Sequence, residues 1–333
     1  GLGDVYKRQV TLYMASPLFS EDSEDKWKQA AEAAYDIIKQ KTDLGLDLVP
    51  YPQIFNDVNN QKAEVILYRP TGESGDFEKA NFPIGVEGGK TSTCPTQNLM
   101  EAYDMKDGTP FVWNNQSDPY DNRDPRMKYT IVCNEMKWPV DPVEIWEGGT
   151  NGLPLQNATT TGYYLKKYVN NTISFEAGST VTKKQHNWVL FRYGEILLNY
   201  AEAMINAFHD PNYKDAVYNM SAREAVNQIR GRTNISLPGF PSDITEKDFV
   251  KRLKNERRVE LAFEGHRFWD VRRWKELGQT ANIYGVKITK NNEVISYEKF
   301  LLETRAVTDN MYFYPIPNTE RFKNPNLGQN LGW

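Results

Sequence analysis

Two cysteines and three histidines are all that this 333-residue chain offers for thiol or soft-metal chemistry. Cys94 and Cys133 form no Cys-x-x-Cys motif, read best as reduced or buried thiols, and do not fix the redox compartment. None of His186, His209 and His266 has a histidine four residues on, which excludes a zinc-protease helix. A dinucleotide fingerprint is missing too. The segment around Gly89-Lys90-Thr91 has Ile84 where a phosphate loop requires its first glycine, and Gly72-Glu73-Ser74-Gly75 is one residue short of a nucleophile elbow. No metal site, no cofactor and no catalytic residue is therefore expected. Neither sign of charge dominates: 40 basic and 44 acidic side chains leave a net charge of −4. That balance argues against a nucleic-acid binder. No apolar run approaches the ~20 residues that span a bilayer, and the mean hydropathy of −0.67 excludes a polytopic membrane protein.

Aromatic residues, by contrast, are abundant, with 8 Trp, 19 Tyr and 15 Phe. So many rings in so polar a chain are either buried or turned toward a ligand. The length allows one large domain or two, with about 75% of the unfolded surface buried on folding.

Residues 1–9 carry neither an apolar h-region nor a cleavage site. They read as a foreign leader, so the domain is taken as 10–333. Helical periodicity clusters at the two ends of the chain. Ala30, Ala31, Ala34, Ile37 and Ile38 share one face after Trp27. Leu190, Tyr193, Leu197, Tyr200 and Met204 form a second stripe, and a further helix is expected over residues 213–229 with Gly231 as its cap. These two make a pair of tetratricopeptide-repeat size. Thr245 and Asp248 mark the start of a third helix, expected to run through Leu261 and Phe263. A shorter helix is expected over residues 267–277. Between the blocks, residues 45–187 are rich in Gly, Pro, Asn and Asp and hold no long helical period. Only short strands near Val65 and Tyr129, and a short helix near Gln97, stand out. So long an irregular insertion in an ordered domain is usually functional. The expected fold is mainly α: tetratricopeptide-like pairs, the insertion over 45–187, and a C-terminal helical region over 188–333.

The densest charge pattern lies in residues 255–274. Glu256, Glu260 and Glu264 stack at i, i+4 and i+8, where like charges repel. Arg257, Arg267, Arg272 and Arg273 are close enough in sequence to neutralise the stripe. The pattern reads as a structural ion network, with an anion site as the sharper alternative.

This stretch, NERRVELAFEGHRFWDVRRW, resembles the signature of the SusD/RagB family of outer-membrane nutrient-binding lipoproteins. The resemblance continues in family order through LYMASPLF (12–19), PTQNLMEAYDMKDGTP (95–110), DPYDNRDPR (118–126), TGYYLKKY (161–168), FRYGEILLNYAEAMINAF (191–208), AVNQIRGRTN (225–234) and YFYPIPNTERFKNPNLGQN (312–330). It implies an α/α superhelix that captures a glycan at the cell surface and delivers it to a SusC-like TonB-dependent transporter. It also implies a binding protein and not an enzyme, and a lipid anchor on an N-terminal part beyond this chain. Two rivals remain: an α-helical polysaccharide-active enzyme using loop carboxylates such as Asp118, Asp121, Asp124, Asp141 or Glu144, and a helical-repeat adaptor for peptides.

A sugar offers an apolar face to an aromatic ring and a rim of hydroxyls to amides and charges. Trp27, Trp188, Trp269 and Trp274 sit in helical text, where packing is the default. Trp113, Trp138, Trp146 and Tyr120 sit among the turns of the insertion and are the candidate ligand contacts. Trp138 and Trp146 lead, as rings carried on one exposed arm, with Gly148 and Gly149 expected to leave room beside Trp146.

Overall fold

The structure is a computed structural model and describes residues 2–21, 23–114, 118–176 and 182–333. Helix α1 (Leu2–Ala15) packs on α2 (Glu24–Lys39), and α2 packs on α6 (Tyr193–Phe208). Buried Ala30, Ala31 and Ala34 on α2 join Leu197, Tyr200, Ala201 and Met204 of α6 in one core, as their helical spacing requires. Almost every residue of α6 is buried, so it is the central rod of this body. Its partners α7 (Ala222–Arg230) and α8 (Glu246–Glu260) complete the pairing expected of a mainly helical, tetratricopeptide-like fold. Residues 2–9 are not set apart from the rest: they continue α1, and Arg8 is buried against Glu195 with two bonds of 3.0 Å.

Local chemistry shifts several boundaries. Residues 187–192 are not the first turn of a helix but strand β4 (Asn187–Arg192), paired antiparallel with β1 (Val65–Pro70). Val189 and Phe191 point inward and Leu190 outward, a period of two that won over the helical stripe. Residues 213–221 are irregular, with Asp215 accepting the N–H groups of Val217 and Tyr218. The helix waits for Ser221, which forms a full capping box with Glu224. Thr245 does cap α8, accepting from the Asp248 N–H at 3.2 Å. That helix stops at Glu260, short of Phe263, which with Gly265 adopts positive φ. Helix α9 (Arg267–Arg273) also ends early, before Lys275 at φ 57°.

The insertion carries α3 (Asp76–Asn81), α4 (Gln97–Met100), α5 (Pro125–Thr130) and one small sheet of β2 (Ile131–Val132) with β3 (Tyr164–Leu165). None of these helices exceeds 6 residues. Its stability comes from a second core of rings, with Phe82, Tyr103, Tyr120, Trp138, Tyr163 and Tyr164 all buried. Val286 and Ile288 enter that core from a hairpin the sequence reading did not foresee, β5 (Asn282–Asn291) and β6 (Val294–Thr304). Asn292 turns it at φ 55°, the left-handed conformation that a two-residue hairpin loop favours. A last helix, α10 (Asn318–Lys323), lies on the surface.

Candidate functional site

The insertion is held by charge. Glu260 is fully buried and accepts from Arg126 at 2.8 Å, Arg192 at 2.8 Å and Arg232 at 2.7 Å. Glu256 takes Arg126 at 2.5 Å and Arg230 at 2.7 Å, while Glu264 takes Arg192 at 2.7 Å and Lys167 at 2.9 Å. Glu64 and Asp124 close the network by pairing with Arg192, Arg232 and Arg126. Burial by itself would raise the pKa of Glu260, but Arg232, Arg192 and Arg126 together hold it well below the usual carboxylate range. Burial pushes the Lys167 ammonium down to about 8 against the pull of Glu264. The glutamate stripe is therefore built into the core, as expected, yet its partners are not the expected ones. They come from the insertion (Arg126, Lys167), from the end of β4 (Arg192), from the last residue of α7 (Arg230) and from just beyond it (Arg232). Arg257 and Arg273 instead hold Asp270, and Arg273 also holds Glu202. Arg267 donates to Gln279, and Arg272 lies over the Phe268 ring. The reason is helical direction: residues 257 and 273 leave the stripe on faces that meet α6, not the insertion.

Beside this clamp lies a cleft of about 440 Å³. Its aromatic wall is Phe55, Trp138 and Tyr168, and its polar rim includes Asn56, Asp57, Asn170, Asn171, Thr172 and Lys184. Phe55 and Tyr168 meet edge to face at 4.9 Å, and Tyr168 packs on Trp188 at 5.0 Å. Trp188 stacks in turn on His186, whose Nε2 lies 2.9 Å from buried Glu78. His186 immediately precedes strand β4. Lys166 sits over Trp138 at 4.9 Å from the ring centroid. The Phe55, Trp138 and Tyr168 rings are only 6–8% exposed and show the cleft little ring surface, while the amide and hydroxyl rim suits a ligand with many hydroxyls.

The structure does not present Trp138 and Trp146 as two exposed rings on one arm. Trp138 is only 6% exposed and Tyr120 only 7%, both within the aromatic core. Each nonetheless edges a cleft: Trp138 the one above, Tyr120 another of about 610 Å³ with Asn134, Glu135 and Tyr297. Trp146 is half-buried under Lys290, 4.4 Å from its centroid, and Trp113 is half-buried near Phe111. Gly148 borders open space, whereas at Gly149 a Cβ would lie 2.5 Å from the Glu144 carbonyl oxygen. Trp269, expected inside, is 47% exposed beside Phe268 and Tyr314. Phe55, Tyr168 and Lys166 were missed, since only tertiary contact brings residues 55, 138 and 168 together. Of the loop carboxylates, Asp124 is engaged by Arg126, and Asp118 caps the Tyr120 N–H at 2.8 Å. Among the described residues no group of His, Cys, Asp and Glu could hold a metal ion, and no helix is long and apolar enough to cross a membrane.

A helical scaffold with tetratricopeptide-like pairs and a large irregular insertion is the class of architecture that the motifs had implied. The family model described as "SusD family" matches residues 53–333, and the chain belongs to that family. A curated relative, SusD-like protein P2 of Formosa agariphila, is 29% identical over 159 residues, covering 46% of this chain and 27% of that protein. A solved SusD-like protein from Bacteroides fragilis superposes with a TM-score of 0.79 at 25% identity, covering 99% of this chain and 64% of that one. A second from the same species, described as a SusD-like carbohydrate binding protein, gives a TM-score of 0.74 at 24% identity over 92% of this chain and 62% of that one, and shows the fold. This chain thus spans less than two thirds of the length of these relatives.

Proposed function

We propose that the chain captures a glycan at the cell surface, as part of a lipid-anchored outer-membrane protein, and passes it to a SusC-like TonB-dependent transporter. The family match over residues 53–333 carries this reading. The cleft supports it, because Asn170, Asn171 and Thr172 offer amide and hydroxyl groups beside the largely buried rings of Phe55, Trp138 and Tyr168. No catalytic step is assigned: the chain binds and releases its ligand unchanged. A glycan array followed by calorimetry on the hits tests capture, and a reducing-end assay on the same glycans tests the absence of hydrolysis. Binding without new reducing ends is expected. Steady release of reducing ends, abolished by replacing one loop carboxylate, would turn the reading to an enzyme. Co-purification with a TonB-dependent transporter tests delivery, and a protein that never associates with one would limit the role to capture.

A further inference from the structure

The neighbouring lysines at the end of β3 have opposite fates. Lys167 turns into the ion network, where Glu264 and the Tyr51 hydroxyl each lie 2.9 Å away. Lys166 turns into the cleft, where it is half-buried and its hydrogen-bond acceptor is the Met136 thioether at 3.7 Å. A thioether is a weak acceptor. Among the described residues no carboxylate lies within ion-pair distance of Lys166. The charges around the cleft do not compensate for this. Asp57 on the rim is already paired with Lys184 at 3.4 Å, and Glu78 with His186 at 2.9 Å. Burial lowers the pKa of Lys166. The same wall holds a second unmet donor: the buried indole N–H of Trp138 has no acceptor among the described residues.

A partly desolvated ammonium without a counter-ion costs free energy that an incoming anion recovers. We propose that this cleft binds an acidic sugar, with a uronate carboxylate or a sulfate group on Lys166 and the sugar hydroxyls on the Asn170, Asn171 and Thr172 rim. The proposal rests on the glycan-capture reading and narrows it to a chemical class. Lys166 supplies the charge, and Asn170 and Asn171 on the rim serve the hydroxyls. The discrimination is electrostatic, so it weakens as salt screens the pair.

The test is an array of uronate-bearing, sulfate-bearing and neutral glycans, followed by calorimetry of the best ligand at low and high salt. Hits in an acidic class are expected, and comparing the carboxylate and sulfate arms shows which anion the cleft prefers. Lys166→Met, checked for a native melting curve, should lower affinity for the acidic ligand at least 10-fold and flatten its salt dependence, while Lys166→Arg should keep most of both. Hits confined to neutral glycans would overturn the acidic assignment and leave capture standing. Undiminished binding of the acidic ligand by Lys166→Met would overturn it as well. A chain that binds no glycan on the array would overturn both readings.

Discussion

Replacing Glu260 by alanine removes one carboxylate that meets three arginines in a site with no solvent. Breaking a buried pair by deleting one partner costs ~3–5 kcal/mol. Here the arginines keep other acids: Arg126 retains Asp124 and Glu256, Arg192 retains Glu64 and Glu264, and Arg232 retains Glu64. The expected loss is therefore at the lower end, about 3 kcal/mol. An unfolding entropy of ~2.1 cal/mol/K per residue gives ~0.7 kcal/mol/K for a chain of this length. The melting temperature of Glu260→Ala should then fall by about 4 °C in calorimetry. Glu260→Gln keeps an acceptor but not the charge, and should lie between the two. Because the network joins the insertion to the helices, glycan affinity of the folded variant should change little. A melting temperature within about 1 °C of the parent, or a large affinity loss at unchanged stability, would refute the argument that this stripe acts as a clamp.

Acid should open the same clamp. Glu256, Glu260 and Glu264 all have folded pKa values held below the ordinary 4.5. Their contribution is complete above pH 4.5 and is lost as pH falls from there through the lowered folded values, so stability followed by urea titration should decline steeply below pH 4.5; a flat profile down to pH 3 would count against it. Trp138→Ala should cost ~3–5 kcal/mol of folding stability, because the ring is core as well as cleft wall, whereas a stability-neutral Trp138→Ala would return the ring to the surface arm that the sequence suggests. Gly162→Ala should destabilise by ~1–3 kcal/mol, read by thermal melting: its φ is +83° and the new Cβ would lie 2.5 Å from the Val286 carbonyl oxygen where the hairpin docks. Burial pushes the Cys133 thiol up to about 12, so a thiol reagent at pH 8 should label Cys94 and leave Cys133 untouched until the chain unfolds; rapid labelling of both would contradict the buried placement.

The helical ends were legible because periodicity is a local property. The alanine face of α2, the stripe of α6 and the Thr245 cap each lie within a few turns of chain, and the structure keeps all three. Errors arose where two local patterns overlapped. Leu190 fits a helical stripe and equally an alternating strand, and pairing with β1, more than a hundred residues earlier, decided the matter. Tyr213 and Ala216 fit a helix, but the Asp215 turn and the Ser221 cap are stronger signals at close range.

Sequence by itself determined the family, the helical scaffold, the irregular insertion and the fact that the glutamate stripe must be neutralised, since three like charges at one-turn spacing cannot be buried alone. It did not determine which cations do so. Arg126, Arg192, Arg230 and Arg232 are scattered along the chain, and nothing in their own neighbourhoods distinguishes them from Arg267 or Arg272, which stay out of the network. The aromatic rings show the same division. Composition required that many be buried, but a tryptophan among polar turns looks alike whether other loops cover it or not. Trp138 is covered because Val143, Tyr163 and the β5–β6 hairpin close one shared core around the insertion. Trp269, in helical text, lies open. Lys166 and Lys167 are adjacent, identical in chemistry and equivalent to any local rule. Only the tertiary structure gives one of them a glutamate and leaves the other facing the cleft, because the direction a side chain leaves the backbone is local, whereas what waits there is not.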